Sequence, residues 1–278
     1  MKIRANELVN FMNKFRFGSQ EVLVKMTGAG LYVKNSVSSE VGIEGFLKKD
    51  AFEEVSEAEF VVPELRLFNG FLKRFRTDIV RIEAKEYSVV LKTKRFRVEL
   101  PVMKKEFFKP FAVKPEDPMV EITVDAQKLK DLLSVLMITK ADNVLFAFDG
   151  DNLVAKVSGL EKISADMKLK HKIDEKLYIQ VGLKSFLSVL SQFVGEITLF
   201  VFKNYLLVEE AGGIANYKFY FPAIISQQEI IVTEEDKDFL KEEESKSESG
   251  IESEKIEDIV EELKGEEEEL SEPEDDIF

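Results

Sequence analysis

Residues 21–34, EVLVKMTGAGLYVK, and residues 143–156, NVLFAFDGDNLVAK, align without a gap at a spacing of 122 positions. In both stretches apolar residues alternate around a central glycine, which is the pattern of a β-hairpin. A pattern that recurs at so long a spacing predicts two copies of one domain. The identical pairs are Val22/Val144, Leu23/Leu145, Gly28/Gly150, Leu31/Leu153 and Lys34/Lys156.

A second pair of segments extends the duplication at a spacing of 118 positions, with the apolar pairs Leu65/Leu183, Phe68/Phe186, Leu72/Leu190 and Phe75/Phe193. These residues recur every three or four positions, as on one face of an α-helix. A third pair, FRVELP at 96–101 and YKFYFP at 217–222, shares its alternation. We therefore predict an N-terminal domain at 1–103, a connector at 104–120 and a C-terminal domain at 121–230.

The order of helical and alternating segments predicts the fold class. Each half holds two units of one helix followed by strands, so we expect an α+β protein built from four βαβββ-like units. Helices are predicted near residues 6–16, 64–76, 125–137 and 183–194. Hairpin turns are predicted at 27–30, 85–87, 149–152 and 203–205.

The charge of the chain is unevenly distributed. Of the formal net charge of -14, residues 231–278 contribute 22 Asp and Glu against five Lys, whereas residues 1–230 carry a small positive excess. So acidic a segment cannot bury enough apolar surface to offset its ordering entropy, and we expect it to be a disordered tail. The charge of residues 1–230 is compatible with nucleic acid as a partner.

Several classes of enzyme site are excluded by residue types. The chain has no cysteine and one histidine, His171, which argues against thiolate zinc sites and histidine-dependent triads. TGAG at 27–30 has Val33 where a dinucleotide loop needs its third glycine. FDGDN at 148–152 has Leu160 where a calcium loop needs its closing glutamate. We expect no catalytic residues, no metal and no cofactor.

No apolar run approaches the roughly 18 residues that cross a bilayer, and the N-terminus lacks an apolar signal core. We expect a soluble protein, cytoplasmic and nucleoid-associated in a prokaryote or its virus and nuclear in a eukaryote.

Cations recur on the predicted helices, away from each apolar stripe. Such positions on four related helices favour one common surface that faces phosphate groups without reading sequence. The candidate DNA-facing residues are Lys14, Arg16, Arg66, Lys73, Arg74, Lys128, Lys130 and Lys184.

Three local segments, SSEVGIEGFL at 38–47, VELPVM at 98–103 and KFYFPAI at 218–224, complete the pattern. With the duplication, they make residues 1–226 resemble the PCNA family of DNA sliding clamps. The resemblance implies a non-enzymatic processivity factor, a homotrimeric ring around duplex DNA with helices lining the hole and sheets outside. Its implied partners are DNA polymerase, the clamp loader and other replication enzymes. The long tail departs from the family and suggests a divergent viral or plasmid-borne member.

The resemblance also implies two sites, and this sequence departs from the family at Tyr205, where a proline usually forms a pocket wall. The implied partner pocket, under the connector, comprises Val41, Ile43, Phe111, Val113, Tyr220, Pro222 and Ala223. The implied subunit interface comprises Phe96, Val98 and Leu100 on one chain and Met167 and Leu169 on the next.

Two alternatives to a homomeric ring remain open. One is a monomeric or hetero-oligomeric clamp-like subunit, and the other is a single-stranded DNA-binding protein whose acidic tail docks partners. The tail could keep the protein soluble, compete with DNA for the basic helices, or end in a docking tip. The candidate tip residues are Asp275, Asp276, Ile277 and Phe278.

Overall fold

The computed structural model describes residues 1–38, 41–114, 116–157 and 163–227, which lie within one compact unit, Met1–Ile230. The predicted tail and its candidate tip, Asp275 to Phe278, lie outside the described residues. The boundaries proposed for the two domains and the connector remain a prediction.

The described residues form four α-helices and fifteen β-strands, so the predicted α+β class is confirmed. The helices are α1 (Ala5–Met12), α2 (Leu65–Phe75), α3 (Ala126–Leu136) and α4 (Leu183–Leu190). The first strands are β1 (Lys2–Arg4), β2 (Val22–Thr27), β3 (Gly30–Asn35), β4 (Gly42–Lys48), β5 (Phe52–Glu54), β6 (Ala58–Val62), β7 (Ile79–Ala84), β8 (Ser88–Lys92) and β9 (Arg97–Pro101). The remaining strands are β10 (Val120–Asp125), β11 (Asn143–Val157), β12 (Ser164–Gly182), β13 (Glu196–Val201), β14 (Tyr205–Gly212) and β15 (Ala215–Ser226).

The helices form where the apolar stripes predicted them, with α2 as the clearest case, although α4 ends at Leu190, four residues before its predicted end. Its apolar stripe from Leu65 to Phe75 is buried, while Lys73 and Arg74 are exposed. The α1 helix is shorter than predicted, because the chain tightens after Met12 into a 3-10 turn, Asn13–Phe17. Lys14 and Arg16 therefore lie on this turn and not on the α-helix itself.

Two sheets carry the helices. One has the strand order β5-β1-β7-β8-β9, and the other has the order β10-β13-β14-β15-β4-β3-β2-β6, with β12 also pairing with β11 and β15. The pairing of β15 with β4 joins the two halves of the chain in one continuous sheet. Buried apolar residues of both halves form one contiguous core beneath the helices.

The hairpin turn predicted at 149–152 is wrong. The strand β11 continues through these residues and pairs along its length with β12, with irregular register on either side of Gly150. Gly150 has a φ of 61°, and this left-handed conformation bends the strand as a bulge instead of reversing it. Asp149 and Asp151 pair across the ribbon with Lys176 and Lys168, at 2.9 and 3.1 Å.

The other three predicted turns fall between neighbouring strands, at β2/β3, β7/β8 and β13/β14. None of the helices in the described parts of the chain is long and apolar enough to cross a membrane.

Candidate binding pocket and basic helix face

A pocket of about 500 Å³ lies between the segment after β9, the start of β4 and the end of β15. Four residues of the predicted set line it, namely Phe111, Val113, Tyr220 and Pro222. The other lining residues are Ser38, Gly42, Ala112, Lys114, Glu116, Lys203, Asn204 and Tyr205.

The remaining predicted pocket residues lie behind the wall or beside it. Val41 and Ile43 are fully buried, so a partner could not contact them. The buried Asn35 side chain holds both, since it donates to the Val41 carbonyl at 3.3 Å and accepts from the Ile43 amide at 2.6 Å. The Ala223 amide donates to the Asn204 carbonyl at 3.1 Å, which fixes the loop that forms one rim. These residues shape the pocket without lining it.

The segment after β9, which the sequence predicts to be the connector, is fixed to the body by Phe111, which is 8% exposed. A Cβ atom at position 42 would lie 2.7 Å from the Phe111 ring, so Gly42 is needed for this close approach. The Lys34 ammonium lies 4.3 Å from the centre of the same ring and 3.0 Å from Glu44. The connector is thereby positioned as a wall of the pocket.

Three aromatic residues form the apolar wall. Tyr205 stacks on Phe202 with ring centres 4.4 Å apart, and its ring lies 5.9 Å from that of Tyr220. The Tyr220 ring lies 5.1 Å from that of Phe111. From the sequence, Tyr205 was only a departure from the family pattern, whereas the structure makes it part of the wall. No spacing rule could have shown this, because the lining residues come from separate segments.

The tyrosine hydroxyls of this wall remain protonated at neutral pH. Burial raises the pKa of Tyr220, and the carboxylates of Glu44 and Glu209 raise it further. Burial and then Glu116 raise the pKa of Tyr205. An aromatic wall with neutral hydroxyl donors, rimmed by the charges of Lys114, Lys203 and Glu116, suits a peptide segment with apolar anchors.

Three cations of the predicted basic face lie around one cleft. Arg16, on the 3-10 turn, and Arg66 and Lys73, on α2, line a cleft of about 400 Å³. Arg74 is exposed on the same helix, and Lys128 and Lys184 are exposed on α3 and α4. These six side chains are accessible to a polyanion.

Lys14 and Lys130 are instead held by internal contacts. The Lys14 ammonium pairs with Glu210 at 3.0 Å and lies 5.5 Å from the centre of the Tyr217 ring and 5.9 Å from that of Phe193. The Lys130 ammonium donates to the Phe193 carbonyl at 3.2 Å. Both lysines therefore connect the helices to the rest of the fold.

The predicted interface residues lie on β9, on β12 or, for Phe96, directly before β9. Within the described residues, β9 pairs only with β8, so its other edge is open. Phe96, just before β9, is 55% exposed and stacks on Phe75 at 6.4 Å. Val98 is half-buried, and Leu100 is buried. On β12, Met167 is half-buried and Leu169 is buried.

Comparison with solved structures identifies the class of fold. The chain has the DNA sliding-clamp fold of the PCNA and bacterial beta-clamp type. It is similar to A. fulgidus PCNA bound to the C-terminal region of FEN-1, with 15% identity over 84% of this chain and 98% of that one and a TM-score of 0.64. It is also similar to Thermococcus kodakaraensis PCNA, with 17% identity over 80% and 99% of the chains and a TM-score of 0.63.

A third similar structure is the Helicobacter pylori beta clamp bound to a DNA ligase peptide, with 15% identity over 85% of this chain and 67% of that one and a TM-score of 0.65. No protein-family profile matches the sequence, and no curated protein matches it. The two large sheets differ from the five-stranded OB barrel on which single-strand binding proteins are built, so the fold disfavours that alternative.

Proposed function

We propose that this protein is a non-enzymatic processivity factor, which assembles head to tail into a ring around duplex DNA and recruits replication enzymes through the pocket beside Phe111. The observation that carries the proposal is the junction between β15 and β4 inside the chain. Within the described residues, the N-terminal half has a corresponding strand, β9, whose outer edge is unpaired.

The duplication relates the strands of this junction to two others. By the alignment of residues 96–101 with 217–222, β9 corresponds to β15. By its place after the aligned segment 143–156, the first part of β12 corresponds to β4. The chain pairs β15 with β4, whereas one edge of β9 is unpaired among the residues that the structure describes. Pairing β9 with β12 of the next copy repeats the internal junction, and closure of the ring leaves the edge of β9 paired in every copy.

The internal register predicts the register between copies. Tyr217 faces Gly45, which pairs with Val33 in β3. Ala155, the counterpart of Val33, pairs with Ala165, so Ala165 takes the place of Gly45. The resulting pairs between copies are Phe96/Ala165, Val98/Ile163 and Arg95/Asp166. The last pair has opposite charges, which cross-strand neighbours favour.

Exposed cations on α2 and on the 3-10 turn would allow the proposed ring to contact duplex DNA. Contacts from Arg16, Arg66 and Lys73 to phosphates would be independent of base sequence, so a ring could slide along duplex DNA. The trimer number comes from the family resemblance and is part of the proposal.

The pocket beside Phe111 is the proposed binding site for replication enzymes. Similar clamps are seen with the C-terminal region of FEN-1 and with a DNA ligase peptide, so we propose that enzyme segments of this kind bind here. The aromatic wall of Tyr205 and Tyr220 would take their apolar anchors.

Light scattering of the purified chain across a dilution series tests the assembly. A particle near three times the 31.8 kDa chain mass is expected. A monomer at micromolar concentration would contradict the homomeric ring and favour the monomeric clamp-like subunit. Primer extension on a circular template, with and without the protein, then tests processivity, and equal product lengths would contradict it.

A further inference from the structure

An ion pair lies over the junction between β4 and β15 inside the chain. The Lys14 ammonium lies over the Tyr217 and Phe193 rings and pairs with Glu210 at 3.0 Å. Beneath it, the Phe11 ring lies 5.3 Å from the Tyr217 ring, and the Tyr217 hydroxyl donates to the Phe11 carbonyl at 3.5 Å. One lysine and one glutamate thus cover the helix side of the β4/β15 pair.

The duplication identifies the counterparts of this contact. Ala5 and Ala126 both begin a helix directly after a strand, so Lys14, nine residues further on, corresponds to Val135. Glu210 faces Tyr217 across β14 and β15. The counterpart of Tyr217 is Phe96, and the amide of Thr93 donates to the Phe96 carbonyl at 2.8 Å, which places Thr93 in the position of Glu210.

Both members of the ion pair are therefore replaced together. Val135 stands in the place of Lys14 and Thr93 in the place of Glu210, so neither charge of the pair is kept. A single replacement would have left a lysine or a glutamate unpaired at a covered junction, which is costly. A contact between these two positions in neighbouring copies would therefore carry no charge.

Residue sizes change in the same compensating way. A Cβ atom on Gly45 would lie 2.7 Å from the Phe15 ring, so the internal junction has no room for a larger residue there. In the counterpart, Phe15 is replaced by the smaller Leu136 and Gly45 by the larger Ala165. The smaller side chain at position 136 leaves room for the larger one at position 165, as close packing requires.

Two of the counterpart residues are only partly covered within the described chain, whereas Thr93 is buried there. Val135 is 57% exposed and Phe96 is 55% exposed, although their equivalents Lys14 and Tyr217 are largely enclosed. Single exposed apolar residues are common on protein surfaces. Repeating the β15/β4 pairing between two copies, however, would bring Val135 and Phe96 to one contact. The molecule that would cover these two residues is a second copy of this chain.

We infer that Val135 of one copy packs against Phe96 and Thr93 of the next, as an uncharged version of the Lys14 contact inside the chain. This inference rests on the proposed ring and specifies its interface. The consequence is that assembly depends little on salt at this contact, because no ion pair is made there.

The inference is tested by rebuilding the internal ion pair between copies. Val135→Lys alone should weaken association by about tenfold or more, because it places an unpaired ammonium at the contact. Thr93→Glu alone should weaken it similarly. The double variant should recover most of the lost association at low salt and lose it again as salt is raised. The measurement is the dissociation constant from light scattering or sedimentation over a dilution series.

The matched control is Val194→Lys, which makes the same change at a residue that is 95% exposed and outside the contact. Thr93 is 9% exposed and accepts from the Arg95 and Phe96 amides, so thermal unfolding must show that Thr93→Glu still folds. The Val135→Lys comparison stands without it, because Val135 is exposed in the isolated chain.

The possible results distinguish failure of the inferred Val135 contact from failure of the proposed ring. If the unaltered chain assembles but Val135→Lys assembles as tightly as Val194→Lys, the inference is wrong and the ring stands. The inference is also wrong if the double variant folds but its dissociation constant is no lower than that of the more weakly associating single variant. If the unaltered chain is monomeric at every concentration, the proposed ring itself fails.

Discussion

Replacing Tyr205 by alanine should remove one wall of the proposed partner pocket without unfolding the protein. Tyr205 stacks on Phe202 at 4.4 Å and lines the pocket beside Tyr220. Truncating a central aromatic residue of a binding site costs about 2 kcal/mol or more, which is roughly a 30-fold rise in Kd. The assay is isothermal titration with the FEN-1 C-terminal segment and the DNA ligase peptide as probes.

The matched control is Ile43→Ala. Ile43 is fully buried and does not line the pocket, so its truncation should cost about 2–5 kcal/mol of folding stability. The variant should unfold at a lower temperature, yet bind peptide within about threefold of the unaltered chain while it remains folded.

The two variants make opposite predictions for two measurements. Tyr205→Ala should change the Kd strongly and the unfolding temperature little, and Ile43→Ala should do the reverse. If folded Ile43→Ala lost affinity as severely as Tyr205→Ala, the partner site would not be the pocket described here. An unchanged Kd for Tyr205→Ala would refute the role of the aromatic wall.

Lys73→Glu combined with Arg74→Glu should leave folding and assembly intact but reduce DNA binding and polymerase stimulation, since both side chains are exposed on α2. Lys14→Met should lower the free energy of unfolding by about 1–2 kcal/mol, measured by thermal or urea unfolding, because it removes a half-buried charged contact. Truncation after Gln228 should raise DNA affinity at low salt if the acidic tail competes with DNA. Deletion of Ile277 and Phe278 should weaken binding of one partner if these residues form a docking tip.

Each of these predictions has a control variant or a result that would contradict it. Lys25→Glu with Lys92→Glu makes the same charge change at exposed strand positions, and it should affect DNA binding less than the α2 variant. Equal losses would mean that general charge, not the helix face, governs binding. A Lys14→Met variant as stable as the unaltered chain would contradict the role of its contact with Glu210. If neither tail variant changed DNA or partner binding, the tail would act only in solubility.

The repeating patterns of the sequence predicted the elements that depend on local periodicity. The apolar stripe of α2 gave that helix within one or two residues at each end, and the turn after β2 was placed correctly. Both follow from burial of one face, which leaves a period of 3.6 or 2 in the sequence.

The errors come from tertiary contacts that have no local signature. FDGDN looks like a tight turn, but Gly150 bends a continuous strand because β12 offers it a full-length partner. Ile43 and Tyr205 are both apolar or aromatic residues near the pocket, and only packing decides that Ile43 is buried and Tyr205 forms the wall. Likewise, Lys14 looked like a free cation until Glu210, far away in sequence, was placed beside it.

In the proposed ring, copies of this chain close around DNA through β9 and β12. The chain has no cysteine, so Val98→Cys with Ile163→Cys introduces the only thiols, one on each side of the proposed junction. Directly opposed antiparallel residues have Cα atoms about 4.5–5.5 Å apart, which suits a disulfide.

The decisive measurement is retention of the oxidised double-cysteine ring on closed circular duplex DNA in high salt, before and after the DNA is cut once. The covalently closed ring should stay on the circle through the salt wash and be released when the DNA is linearised. Loss from the circle in high salt, or equal retention on cut and uncut DNA, would contradict encirclement.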